Sequence, residues 1–152
     1  MVPRPISTAL LAAAAIGVVV MFVVFAGDYG HLPEIVPTHF GADGTPNAWG
    51  PKSTFIIFPL IGVGMFGIVA AVLTLGLKSR RGPVPPALPA LAGLVFVETI
   101  WMLAFAEMGS IAVALGRSTN LGWGFFIGLG SELITALVLA IVAIAAAVKG
   151  RT

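Results

Sequence analysis

Cysteine is absent from this chain, which excludes disulfides and thiolate metal sites. Charge is scarce as well: 8 Lys and Arg and 6 Asp and Glu among 152 residues make 9%, where soluble domains carry about 25%. No nucleophile stands beside a base, and no oxyanion-type motif is present. Neither an enzymatic reaction nor a cofactor is expected. The balance is basic, with pI 9.5. The basic residues nevertheless sit at the ends of apolar runs, which marks membrane orientation; direct binding of nucleic acid is not expected.

What the chain has in quantity is hydrocarbon: 59% hydrophobic residues and a mean hydropathy of +1.08. Four apolar runs, Ile6–Ala26, Thr54–Leu77, Pro89–Gly116 and Leu121–Val148, each exceed the roughly 20 residues a helix needs to cross a bilayer. They are continuous and do not alternate, so helices are expected and not barrel strands. The expected fold is an all-α membrane protein of four transmembrane helices with an ordered extracytoplasmic loop between the first two. Residues 1–77 form a helix–loop–helix unit and 78–152 a second transmembrane hairpin. Val24-Phe25-Ala26 has the small residues of a signal-peptide cleavage site, but the apolar run is long and a retained helix is expected.

Arg4, Lys78, Arg80, Arg81, Lys149 and Arg151 fall on one side, and Lys52 and Arg117 on the other. The excess places both termini and the 78–86 loop in the cytoplasm, and the 32–52 segment outside. The expected location is the bacterial cytoplasmic membrane. Lys78, Arg80 and Arg81 would orient the chain, meet anionic headgroups, or dock a cytoplasmic regulator.

Small residues mark helix seams: Ala9, Ala13 and Gly17 in the first span, and Gly124, Gly128, Ala136 and Ala140 around Glu132 in the fourth. These seams permit a homo-oligomer and equally serve packing within one chain. Gly62, Gly64 and Gly67 match a dinucleotide-binding spacing, but no strand precedes them, so close helix packing is the reading. Gly116 is placed to cap the third helix, and Ser118, Thr119 or Asn120 the fourth.

Glu98, Glu107 and Glu132 are the only ionisable groups within the four runs. Carboxyls in lipid are costly and turn inward. Counted from a tight tip between Arg117 and Asn120, Glu107 and Glu132 fall at nearly one depth, roughly 15–18 Å from the tip. They are expected to pair and share one proton, either as a neutral structural pair or as part of a proton pathway. Glu98 falls on the opposite face of its helix, bonded to Thr99, Trp101 or backbone.

The segment from Pro37 to Lys52 is polar and rich in turn formers. Ala42-Asp43-Gly44-Thr45 predicts a tight turn with Gly44 supplying a positive φ. His31 and His39 lie near Asp28, Glu34 and Asp43 in sequence, but their spacing fits no standard metal motif, and the Asp43 run lacks the distal Glu of a calcium loop. No metal is expected. Leu32-Pro33-Glu34-Ile35-Val36-Pro37-Thr38-His39-Phe40, with Gly44, Pro46-Asn47, Trp49-Gly50 and Lys52, resembles the signature of DUF1648, a domain of unknown function, over roughly residues 8–70. That domain also begins the SdpI-type immunity proteins, bacterial membrane proteins that protect against a secreted toxic peptide and can signal to a repressor. Those proteins typically have six spans, and this chain has four.

The resemblance implies an outer cap in which His39, Phe40, Asp43, Asn47, Trp49 and Lys52 meet an exported peptide or envelope ligand, with the bilayer as the remaining partner. The alternatives are a small proton-coupled transporter using Glu107 and Glu132, or an accessory subunit of a membrane complex.

Overall fold

The computed structural model describes residues 3–75, 85 and 87–149. Four helices account for most of them: α1 (Arg4–Asp28), α2 (Ile57–Leu75), α3 (Ala87–Ala114) and α4 (Trp123–Lys149). All four are long and apolar enough to cross a membrane, so the chain is a multi-pass membrane protein. Between α1 and α2 lies a two-stranded antiparallel hairpin, β1 (Ile35–Phe40) and β2 (Pro46–Pro51), flanked by short 3-10 turns at Tyr29–His31 and Lys52–Ile56.

The strands depart from the expectation of an all-α chain with an ordered loop here. Pro37, Pro46 and Pro51 lack an N–H and weigh against a sheet. A lone ribbon needs only every other backbone group for its ladder, so each strand has an outward edge where proline costs nothing. The ladder also slips between Pro37 and Phe40. The turn forms as read from Asp43-Gly44: Gly41 N–H donates to Thr45 O at 2.8 Å, Gly44 N–H donates to Gly41 O at 2.9 Å, and Gly44 takes φ +76°.

Helix α3 is the hub. It packs on α1, α2 and α4; α1 and α2 also pack on each other, whereas among the described helices α4 packs extensively on α3 alone. The core joins Ala14 and Met21 of α1, Val69 and Leu73 of α2, and Val97, Ile100 and Ala104 of α3. A second apolar cluster beneath the hairpin joins Leu32, Val36, Phe55 and Ile111.

Glycine and alanine act where backbones close in. Gly17 meets Ile100, and the Trp101 indole donates to the Ala13 carbonyl at 3.1 Å. Ala9, the third member of the expected stripe, is exposed. Gly62 lies against Met21, while Gly64 and Gly67 have nothing within 4 Å of a would-be Cβ. Helix packing thus explains the first glycine of that triplet and not the other two. Pro59 is the third residue of α2, within the first turn, whose N–H groups have no intrahelical acceptor.

The α3–α4 connection is not a tight hairpin. Gly116, at φ +69°, closes α3, with Arg117 N–H donating to Ala112 O at 2.8 Å and Gly116 N–H to Val113 O at 3.0 Å. The chain then runs back alongside α3 before α4 begins at Trp123. Ser118 and Asn120 do not cap α4. Ser118 Oγ donates to Asn120 O at 2.8 Å, and Asn120 Oδ1 accepts from Gly122 N–H at 2.9 Å, so both shape the loop.

Candidate functional site

A cavity of about 600 Å³ lies between α2 and α4, with α3 as its floor and β1 as its roof. Each element contributes for a local reason. The slip in β1 leaves Thr38, His39 and Phe40 along the roof. The 3-10 turn delivers Phe55, which is buried and meets Phe58 edge-on with centroids 5.9 Å apart. Small Ala106 and Ser110 keep the floor low. Phe125 and Phe126, stacked edge-on at 5.4 Å, form the α4 wall. The hairpin turn closes one end: Leu121 N–H donates to Gly44 O at 3.0 Å, and Gly44 is buried against the Phe126 ring. Volumes of roughly 300–1,000 Å³ with mostly apolar walls characterise small-molecule sites.

The hairpin residues read from the sequence divide into three groups. His39 and Phe40 line the cavity. His39 Nδ1–H donates to Asn47 Oδ1 at 2.5 Å, which leaves Nε2 as the ring nitrogen not engaged by Asn47. Asn47 therefore positions His39. Asp43 holds its own turn: its Oδ1 accepts from Thr45 N–H at 3.0 Å and from Thr45 Oγ1 at 2.7 Å, and these bonds hold its carboxyl below the usual range. Lys52 pairs with Glu34 at 2.9 Å and lies 5.5 Å from the Tyr29 ring centre, away from the cavity. Trp49 is 56% exposed and lies outside the lining.

The carboxyls are arranged differently from the expected pair. Glu132 Oε1 accepts from Thr99 Oγ1 at 2.6 Å. Glu98 Oε1 accepts from Ser131 Oγ at 2.6 Å and Thr135 Oγ1 at 3.1 Å. Glu98 thus faces α4, and not Trp101 or its own backbone. Glu107 is fully buried, and neither of its oxygens has a protein hydrogen-bond partner.

The register of α4 on α3 explains this arrangement. Gly109 lies against the Leu121 backbone, Gly124 against Phe105 and Gly128 against Met102. That places Glu132 level with Thr99, eight residues or roughly 12 Å along α3 from Glu107. The expected depth takes residues 117–120 as a tight tip, whereas Leu121 already lies beside Gly109, so α4 begins farther from the tip than that count allows. The α4 seam also drifts. Gly124, Gly128 and Glu132 face α3 as read, but Ala136 and Ala140 are exposed and Thr135 and Leu139 take the inner side. A strict four-residue step advances about 40° per repeat and leaves the seam.

Glu107 lies on the α3 face of Ile100, Ala104 and Ile111, between the two apolar clusters. Within α2 there is no charged residue, and α1 carries charge only at its ends, in Arg4 and Asp28. No cation of α1 or α2 faces Glu107 from within the bilayer span. Lys78, Arg80 and Arg81 lie outside the described residues.

Thr38, Phe55, Phe58, Ser110, Phe125 and Phe126 were not singled out as site residues from sequence. They come from five separate segments; apart from Thr38, which lies within the quoted motif on β1, each alone is an ordinary apolar or helical residue.

A family model for DUF1648, a domain of unknown function, matches residues 16–63. It covers the second half of α1, the hairpin and the start of α2, a shorter stretch than the 8–70 read from sequence. An uncharacterized protein of Archaeoglobus fulgidus is 33% identical over 81 residues, which is 51% of this chain and 42% of that protein. The match thus spans less than half the relative's length. No solved structure matches the chain. Residues 16–63, which build the roof and one wall of the cavity, carry a DUF1648 domain within a multi-pass membrane protein.

Proposed function

We propose that this chain is an SdpI-like membrane receptor or immunity factor that takes up an exported peptide or envelope ligand at the hairpin end. The observation that carries the reading is the cavity beneath β1, whose roof is built by the DUF1648 hairpin and which His39 and Phe40 line. The Lys and Arg distribution supports a hairpin outside the cytoplasmic membrane, where such a ligand arrives, and a basic 78–81 segment inside, where a regulator would dock. No enzymatic step is proposed. Survival of a susceptible bacterium expressing the chain, challenged with secreted toxic peptides, tests the reading. Protection by the wild type that is lost in His39→Ala and Phe126→Ala, at unchanged membrane levels, is the expected result. Absence of protection against every peptide would remove the immunity role.

A second reading has its own observation, the buried and unpartnered carboxyl of Glu107. Intramembrane carboxyls of this kind mark proton paths. Proton uptake into vesicles that is lost in Glu107→Gln, with the cap variants unaffected, would favour a proton-coupled transporter or accessory subunit.

A further inference from the structure

Of the two ligand classes proposed above, the polarity of the cavity favours a non-peptide envelope molecule, an inference that rests on the reading of the cavity as the ligand site. Among the described residues, His39 is the one ionisable group in its lining. Thr38, His39 and Thr54 gather its polar side chains at the hairpin end, and the floor hydroxyl of Ser110 already donates to Ala106 O at 2.7 Å. The remaining walls are phenylalanine and aliphatic. Ile57 and Leu129 line the cavity and are also exposed on the outer surface of α2 and α4. Because α4 is seated on α3 and makes little contact with α2, the slot between α2 and α4 is open at its side. Upward it is roofed by β1, and the Gly44–Leu121 bond closes its end.

We propose that the cavity binds a neutral amphiphile. Its hydrocarbon chain lies between Phe58 and Phe125, and its uncharged, hydrogen-bonding head lies at Thr38 and His39. Entry is lateral, from the leaflet on the hairpin side. A carboxylate or phosphate head would meet no ammonium or guanidinium in the lining, since Lys52 pairs with Glu34 and Arg117 with Asp28, both elsewhere. A peptide backbone laid along the slot would leave its N–H and C=O groups against phenylalanine, without acceptors or donors. A single hydrocarbon chain has no such groups to satisfy.

The test uses the full chain in phosphatidylcholine vesicles and a monoacylglycerol with a diazirine in its acyl chain. After photolysis, labelling is expected on Phe58, Ser110 and Phe125. It should be competed away by unlabelled monoacylglycerol and lost in Ala106→Phe, which fills the floor, and in Leu129→Trp, which blocks the mouth. Circular dichroism checks that each variant is folded. Labelling spread evenly over the outward α4 residues Ile134, Leu137 and Ile141, and not competed, would reduce the cavity to bulk lipid contact and overturn the proposal. Competition by a fatty acid or an apolar peptide but not by monoacylglycerol would overturn it in favour of a charged or peptide ligand. If labelling is diffuse while survival still depends on His39, this proposal fails and the receptor reading stands. If labelling is specific while no peptide is resisted, the reverse holds.

Discussion

Leu121 and Gly44 are joined backbone to backbone, amide to carbonyl at 3.0 Å, and this bond fastens the hairpin turn to the start of α4. Gly44 is suited to the role twice over: its φ is +76°, and a Cβ there would fall 2.9 Å from the Phe126 ring. Gly44→Ala should therefore destabilise the folded protein by about 1–2 kcal/mol from the left-handed backbone alone, with the contact adding to it. Thermal unfolding in detergent measures this, and an unchanged midpoint would mean the turn is not fastened.

Glu107 gives a prediction of opposite sign. Replacing a buried polar group that has no partner by an apolar one of similar size removes a desolvation penalty of about 1–3 kcal/mol. Glu107→Leu should raise the unfolding midpoint, and Glu107→Gln should leave the unmet polar group in place. A large loss of stability in Glu107→Leu would show that the carboxyl has a partner essential to the fold.

The α3–α4 contact holds two carboxyl–hydroxyl links, Glu132 with Thr99 and Glu98 with Ser131 and Thr135. Interhelical bonds of this type in membranes average about 0.6 kcal/mol and reach about 1.7. A double-mutant cycle on Thr99→Val and Glu132→Ala should return a coupling in that range. The same cycle on Glu107→Ala and Glu132→Ala should return none, because those residues share no bond.

Asp43 provides a pH signature at the hairpin. Its folded carboxyl titrates below the ordinary 3.8 because Thr45 donates to it twice. A lowered folded value means that the contribution is fully present above the unfolded pKa and is lost as pH falls through the folded one. The turn should therefore loosen only below about pH 4. NMR titration should find the Asp43 value moving upward in Thr45→Val, and an unchanged value would exclude the bond.

Topology can be read directly because the chain has no cysteine. A single Ala48→Cys on exposed β2 should react with a membrane-impermeant maleimide in intact cells. A reaction only after the cells are opened would reverse the proposed orientation.

Much of the fold was legible in residue order. Runs of apolar side chains long enough to cross a bilayer must become helices there, since every backbone group needs an internal partner. Asp43-Gly44 dictated a turn through its own side-chain bonds, and Gly116 closed α3 in the same local way. The hairpin strands were masked by three prolines whose missing N–H groups fall where no ladder bond is needed. Of the site, His39 and Phe40 were visible as features of a motif. Phe58, Ser110 and Phe126 were not, since nothing distinguishes them until they face one space.

The sequence by itself determined the class of protein, the number of spans, the turn at Gly44 and the helix end at Gly116, because each follows from composition or from contacts within a few residues. Tertiary structure alone decided that α3 is the hub, that Glu132 meets Thr99 and not Glu107, and that a cavity exists. Those outcomes depend on how far the 117–122 segment travels beside α3 before α4 begins. That distance is set by the backbone of Leu121, in the connecting segment, settling against Gly109 of α3, a contact that no local pattern specifies.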